Sequence, residues 1–212
     1  MRRLLIAAAA AAMVSGCAAF APPKKLAPPI RVNEDPYPST YQRYPGALTV
    51  IRHATMFDGE GRQINDATLV FGDGVIQAVG GPGLASPAGA IEIDGTGKWV
   101  TPGVIDVHSH LGDYPSPGVE SLSDGNEATA PARPEVWAEH SVWPQDPGFS
   151  RALVNGGVTT LQILPGSANL FGGRSVTVKN VPARTAQGMK FPGAPYGLKM
   201  ACGENPKRVY GS

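Results

Sequence analysis

The segment Val104-Ile105-Asp106-Val107-His108-Ser109-His110 constrains this chain more than any other. Thr101-Pro102-Gly103 breaks the chain just before it, and the alternation that follows has the two-residue period of a β-strand. In that register Asp106, His108 and His110 project to one face, and Ile105, Val107 and Ser109 to the other. The two imidazoles stand roughly 7 Å apart at their Cα atoms, a separation that suits two nitrogens converging on one metal ion at about 2.0–2.1 Å. A bare His-x-His also fits two unrelated polar residues at a strand end, so the surrounding sequence decides its weight.

Upstream, between Ala47 and Val100, short β-branched runs are separated by Gly and Asp turn signals. The runs are Leu48–Ile51, Ala67–Phe71, Val75–Val79 and Ile91–Ile93. Asp58-Gly59 and Asp73-Gly74 sit where tight turns need positive φ, which predicts strand pairs joined by hairpins. Downstream, Asp146-Pro147 reads as a helix N-cap with proline at the first helical position. Phe149, Ala152 and Leu153 give an apolar face, and Gly156-Gly157 stops the helix. Val158–Leu164 then reads as a buried strand, and Ser175–Lys179 as a further strand. Asn205-Pro206 has the pattern of a second helix N-cap.

Residues 97–112, Gly-Lys-Trp-Val-Thr-Pro-Gly-Val-Ile-Asp-Val-His-Ser-His-Leu-Gly, resemble the signature of the amidohydrolase superfamily. Residues 165–173 and 197–208 resemble the imidazolonepropionase-like branch of that family. The resemblance implies an α/β fold in which a small β-sandwich leads into a (β/α)8 TIM barrel, with His108 and His110 at the end of the first barrel strand as metal ligands. It also implies a divalent cofactor of one or two ions, Zn2+ in the first instance. A further ligand in such proteins is a carboxylated lysine or a glutamate; Glu204 and Lys199 lead Lys179 as candidates for it. Ser167 and Asn169, in the loop after the second barrel strand, are candidate substrate contacts, although each also fits a simple turn.

Asp113–Gln145 has no clear period. It holds His140, Trp137 and Trp143, which read as a packed insertion with a possible covering role. A barrel takes about 250 residues, so Gly103–Ser212 has room for strands 1 to about 4 only. The family's strand 8 aspartate, which acts on the attacking water, is absent from this stretch. The expectation is therefore the N-terminal part of a longer enzyme, truncated and inactive alone. It would act on carbon–nitrogen bonds of a small-molecule amide or dipeptide substrate.

Composition bears on location and partners. Eighteen basic and seventeen acidic side chains give a formal charge of +1, which offers no excess to grip a polyanion, so nucleic acid is not expected as a partner. Met1-Arg2-Arg3 precedes an apolar run from Leu4 to Val14 that is too short to cross about 30 Å of hydrocarbon. It reads as a signal peptide. Val14-Ser15-Gly16-Cys17 resembles a bacterial lipobox, which implies lipidation at Cys17, and Ala18 after it favours the outer membrane facing the periplasm. The resulting organisation is signal peptide 1–16, Pro-rich tether 17–45, β-sandwich 46–102 and partial barrel 103–212. The alternative function is a catalytically dead surface lipoprotein that binds a metal, a ligand or a partner.

Overall fold

The turn chemistry between Ala47 and Val100 folds as its spacing suggests. In the computed structural model, which describes residues 35–211, β1 (Thr49–Phe57), β2 (Gln63–Gly72) and β3 (Val75–Gly80) form consecutive antiparallel pairs. Asp73 (φ 52°) and Gly74 (φ 71°) make the β2–β3 turn in the left-handed region. β4 (Ile91–Asp94) and β5 (Trp99–Val100) add to β1 in parallel, so residues 49–100 build one five-stranded sheet rather than two facing sheets. Val50, Ala54, Met56, Ala67 and Val70 are buried on it. Ile76, Ile91, Ile93 and Trp99 are exposed, as on a layer with one open face.

The second half is a three-stranded sheet ordered β6 (Val104–Ser109), β7 (Val158–Ile163), β9 (Val176–Lys179). β6 and β7 are parallel and joined by a crossover containing α1 (Pro147–Gly156). Asp146 caps α1 by accepting from Gly148 N–H, Pro147 follows it, and Gly157 ends the helix in the left-handed region (φ 63°). The expected third barrel strand, Ser175–Lys179, instead runs antiparallel to β7. The connection from Ile163 to Val176 holds one short strand and no helix, so the usual helical crossover to a parallel neighbour is missing. β8 (Phe171–Arg174), within that connection, pairs antiparallel with β10 (Leu198–Met200) as a separate two-stranded sheet. The described residues thus hold one parallel strand–helix–strand unit and no closed barrel.

The core lies on β7 and β9: Leu161, Ile163, Val176 and Val178 pack with Phe149 of α1, Met189 of α2 (Ala186–Met189), and Ala138 and Val142 of the insertion. β6 is the sheet's edge, and Ile105 and Val107 are 62% and 67% exposed. The last helix, α3 (Glu204–Tyr210), starts one residue before the expected cap. Asn205 and Pro206 therefore sit in its first turn, where a missing N–H costs nothing. Residues 35–44, expected to be tether, are pinned. Ser39 Oγ donates to Lys190 O (2.6 Å), Thr40 N–H to Gln187 O (3.0 Å), and Tyr44 Oη to Pro182 O. The signal peptide, the lipobox and the tether up to residue 34 lie outside the described residues. No helix among the described residues is long and apolar enough to cross a membrane.

Candidate functional site

His108 and His110 leave the C-terminal end of β6 side by side, with ring centroids 5.4 Å apart and planes nearly perpendicular (84°). The end of β7 fixes this pair. Leu164 N–H donates to Ser109 O (3.0 Å), and His110 Nδ1–H donates to Leu164 O at 2.8 Å. That bond assigns the His110 proton to Nδ1 and leaves Nε2 with a free lone pair, the tautomer a metal ligand needs. Half-burial holds the His110 imidazole below its usual pKa, and the nearby Lys199 charge adds to this. Both effects favour the neutral ring. Asp106 accepts from His108 N–H (3.1 Å) and so fixes the backbone between the two strand residues.

Lys199 comes to the pair from β10. Its Nζ lies 3.3 Å from His108 Nε2, although 91 residues separate the two in sequence. The lysine is buried, and burial lowers its pKa. A buried amine with reduced basicity is a better nucleophile toward carbon dioxide and a better ligand than a solvated ammonium. Gly172 on the neighbouring strand lies close against the Lys199 stem.

The other candidates lie elsewhere. Glu204 is on the exposed first turn of α3, and among the described residues no third His, Cys, Asp or Glu joins the two imidazoles. Lys179 sits over the rings of Tyr41 (5.0 Å) and Phe191 (4.5 Å), as a cation against two π faces. Ser167 is half-buried in the loop after β7. Asn169, in the same loop, is buried, and its Nδ2 lies 2.6 Å from Glu127 O, 2.8 Å from Ala130 O and 2.9 Å from the Tyr210 hydroxyl. Those partners make it a clamp between the insertion, this loop and α3. His140 packs in the insertion, stacked on Trp137 and edge-on to Tyr37.

Three residues that the sequence did not mark as site residues, Asp146 being marked only as a helix cap, position the site. Asp146 does more than cap α1: its carboxylate also accepts from Gly112 N–H (3.0 Å) and Ser116 N–H (3.1 Å), which ties the loop after the imidazoles to the helix. Tyr114 stands edge-on to His110 at 5.6 Å. Asn126 bonds the Tyr114 hydroxyl through Nδ2 and accepts from Ala168 N–H through Oδ1 (3.0 Å), so the insertion and the β7 loop meet beside His110. A Cβ on Gly125 or Gly166 would overlap the Tyr114 phenol end, so glycine at both is a packing requirement. Only Asp146 carried a local signal, its place before proline. The other contacts join residues 12 and 42 positions apart, beyond any periodicity.

With that geometry in view, comparison with known proteins is informative. No family model matches the chain. The chain is 35% identical over 192 residues to amidohydrolase tasK of Hapsidospora irregularis, which covers 79% of this chain and 20% of that protein. It is 32% identical over 127 residues to an imidazolonepropionase of Pseudomonas putida, covering 53% of this chain and 32% of that one. Among solved structures, an amidohydrolase from Thermotoga maritima matches with a TM-score of 0.69 and 40% identity, over 77% of this chain and 41% of that chain. These relatives and this structural neighbour support an amidohydrolase-superfamily N-terminal part. The chain spans less than half the length of each of the three.

Proposed function

We propose that this chain contributes metal ligands to an amidohydrolase that breaks carbon–nitrogen bonds in a cyclic amide or dipeptide-like small molecule. The observation that carries the reading is the convergence of His108, His110 and Lys199, in a chain similar to amidohydrolases over more than three quarters of its length. The donor set fits a divalent cation: two imidazoles, one with its Nε2 lone pair free, and a buried amine. His108 and His110 would hold the ion, and Lys199, as the amine or as its carbamate, would be the third donor. When bound, the ion supplies Lewis acidity toward a substrate carbonyl and makes water a competent nucleophile near neutral pH.

The chain's own residues do the rest. The His110–Leu164 bond holds the imidazole proton at Nδ1, Asp146 fixes the loop behind it, and Tyr114 with Asn126 flanks one side. β6, α1 and β7 are taken as the first strand–helix–strand unit of the family's barrel, and the remaining ligands and the water-directing aspartate as belonging to its later strands. Neutral imidazoles are required, so metal affinity and turnover fall as the pH drops below the imidazole range. The lowered His110 value moves that fall toward acid. Zn2+ is the proposed ion, given nitrogen donors of this kind. Export and lipidation at Cys17, with anchoring at the outer membrane, belong to the same proposal. Loss of radiolabelled palmitate incorporation on Cys17→Ala tests that part.

The test of the function is metal analysis and an amide and dipeptide hydrolysis screen on the complete open reading frame and on its His108→Ala/His110→Ala variant. The reading expects loss of metal and of turnover together. Metal retained in full by the double variant refutes the ligand assignment. Metal bound without hydrolysis of any substrate favours a non-catalytic binding lipoprotein instead.

A further inference from the structure

A second centre, separate from the imidazole pair, is built around a carboxylate that its surroundings do not answer. Asp113 has 0% exposed surface, and among the described residues neither of its carboxylate oxygens meets a hydrogen-bond donor. Its backbone is fixed at both ends: Asp113 N–H donates to His110 O (3.1 Å), and Asp124 N–H donates to Asp113 O (3.1 Å). Asp113 is among the residues lining a cavity of about 90 Å³ whose wall includes the polar residues Asp124, Asn126, Glu127 and Ser141 beside apolar Val136 and Ala138. Among the described residues, no lysine, arginine or histidine lines that cavity.

An ionised carboxylate does not stay unpaired in a protein interior; it takes up a proton, a positive side chain or a bound cation. The side chain that would pair with Asp113 is missing from the cavity wall, whereas two further carboxylates, an amide and a hydroxyl are present. All are oxygen donors of the hard kind that Ca2+ prefers, with six to eight oxygens at about 2.3–2.6 Å including water. The cavity has room for an ion and water.

We propose that this cavity is a binding site for a hard divalent cation of the calcium class, with Asp113 as its buried carboxylate ligand. No three His, Cys, Asp or Glu side chains converge to ligand distance among the described residues, so neutral oxygens and water complete the shell. Asp124 and Glu127 supply the surrounding negative charge. The structural consequence of cation binding is to fasten the start of the insertion, Asp113–Glu127, next to Pro165 of the β7 loop. This inference does not rest on the metal-hydrolase reading, because its ligands are oxygens and none of the imidazoles takes part.

The test uses the full chain carrying His108→Ala and His110→Ala, so that the imidazole pair cannot contribute. Tb3+ is titrated in, with emission excited through Tyr114, the residue next to Asp113, and is then competed with Ca2+. A saturable signal displaced by Ca2+ and weakened at least tenfold by Asp113→Asn is expected. No saturable signal, or an Asp113→Asn protein that titrates like its parent, overturns the proposal; a cavity that holds only water gives this result. If Asp113→Asn does not fold by circular dichroism, thermal melting of the parent with and without Ca2+ decides. A rise in Tm of several degrees at saturating Ca2+, unchanged by His108→Ala/His110→Ala, supports the site, and an unmoved Tm overturns it.

Discussion

Two buried ionisable groups in this molecule are treated in opposite ways. Lys190 is 4% exposed, and its Nζ is bonded to Asp35 Oδ1 (2.8 Å), Tyr37 O (2.8 Å), Glu139 Oε2 (2.5 Å) and the Tyr196 hydroxyl (2.5 Å). Asp113, equally buried, has a fixed backbone and, among the described residues, no side-chain partner. The first is a completed network: its hydrogen bonds raise the lysine pKa against the effect of burial, and it fastens residues 35–37 to the insertion and to the segment after α2. Its cation is answered, although Glu139 Oε1 is buried without a hydrogen-bond partner among the described residues. The second lacks its positive charge, and a solute can provide one. Burial alone therefore does not separate structural charges from functional ones; the tally of partners does.

The contrast can be broken most severely through pH. In cation-free, chelated buffer, folded Asp113 keeps its proton up to about pH 8, whereas in the unfolded chain it has lost it above about pH 4. Between those values the native state binds more protons, so this residue's contribution to stability is complete below about pH 4 and declines as pH rises toward 8. The slope is at most about 1.4 kcal/mol per pH unit. Urea unfolding of Asp113→Asn against the parent at pH 5 and pH 8 is expected to show the variant gaining relative stability at the higher pH. Equal differences at both pH values would contradict the unpaired carboxylate.

At the completed network the expected effect has the opposite sign. Lys190→Met leaves Glu139 and Asp35 without their cation and is expected to cost about 3–5 kcal/mol of unfolding free energy at pH 7. A loss under 1 kcal/mol would mean that the network contributes little. Asp146 is an intermediate case, a buried carboxylate answered by the backbone N–H groups of Gly112, Ser116 and Gly148. Asp146→Ala removes a helix cap and two loop bonds, for an expected loss of about 2 kcal/mol, read by the same denaturation. The smallest change is Tyr196→Phe, which deletes one hydroxyl from the Lys190 network and is expected to cost about 1 kcal/mol. A cost as large as that of Lys190→Met would make the hydroxyl, rather than the carboxylates, the main partner.

The same contrast explains what the sequence could tell. β1 to β4 were legible because period-two runs and Asp-Gly turns are local, and α1 because Asp146-Pro147 and Gly156-Gly157 mark both its ends. The side-by-side imidazoles followed from strand geometry within three residues. Lys199 was named from resemblance rather than spacing, since its approach to His108 depends on β10 pairing with β8. The direction of β9 was missed because a run of alternating apolar residues does not say which way its neighbour points; it follows from the pairing with β7, with no helix between the two strands. Tyr114, Asn126 and Asp113 carried no signal because their roles depend on an insertion held by isolated bridges, Ala132 to Phe171 and Trp137 to Arg174, rather than by periodic strands. Asn169 looked like a loop residue open to substrate, and its three partners became visible only when the insertion and α3 were in place.

The account as a whole stands on His108 and His110 as ligands to one divalent ion. Its most direct test is metal content by inductively coupled plasma analysis after Zn2+ loading and desalting, compared between the parent and the His108→Ala/His110→Ala variant, with folding checked by circular dichroism. A parent that retains bound zinc and a folded variant that has lost it is the predicted result. Equal zinc in two folded proteins would contradict the central claim.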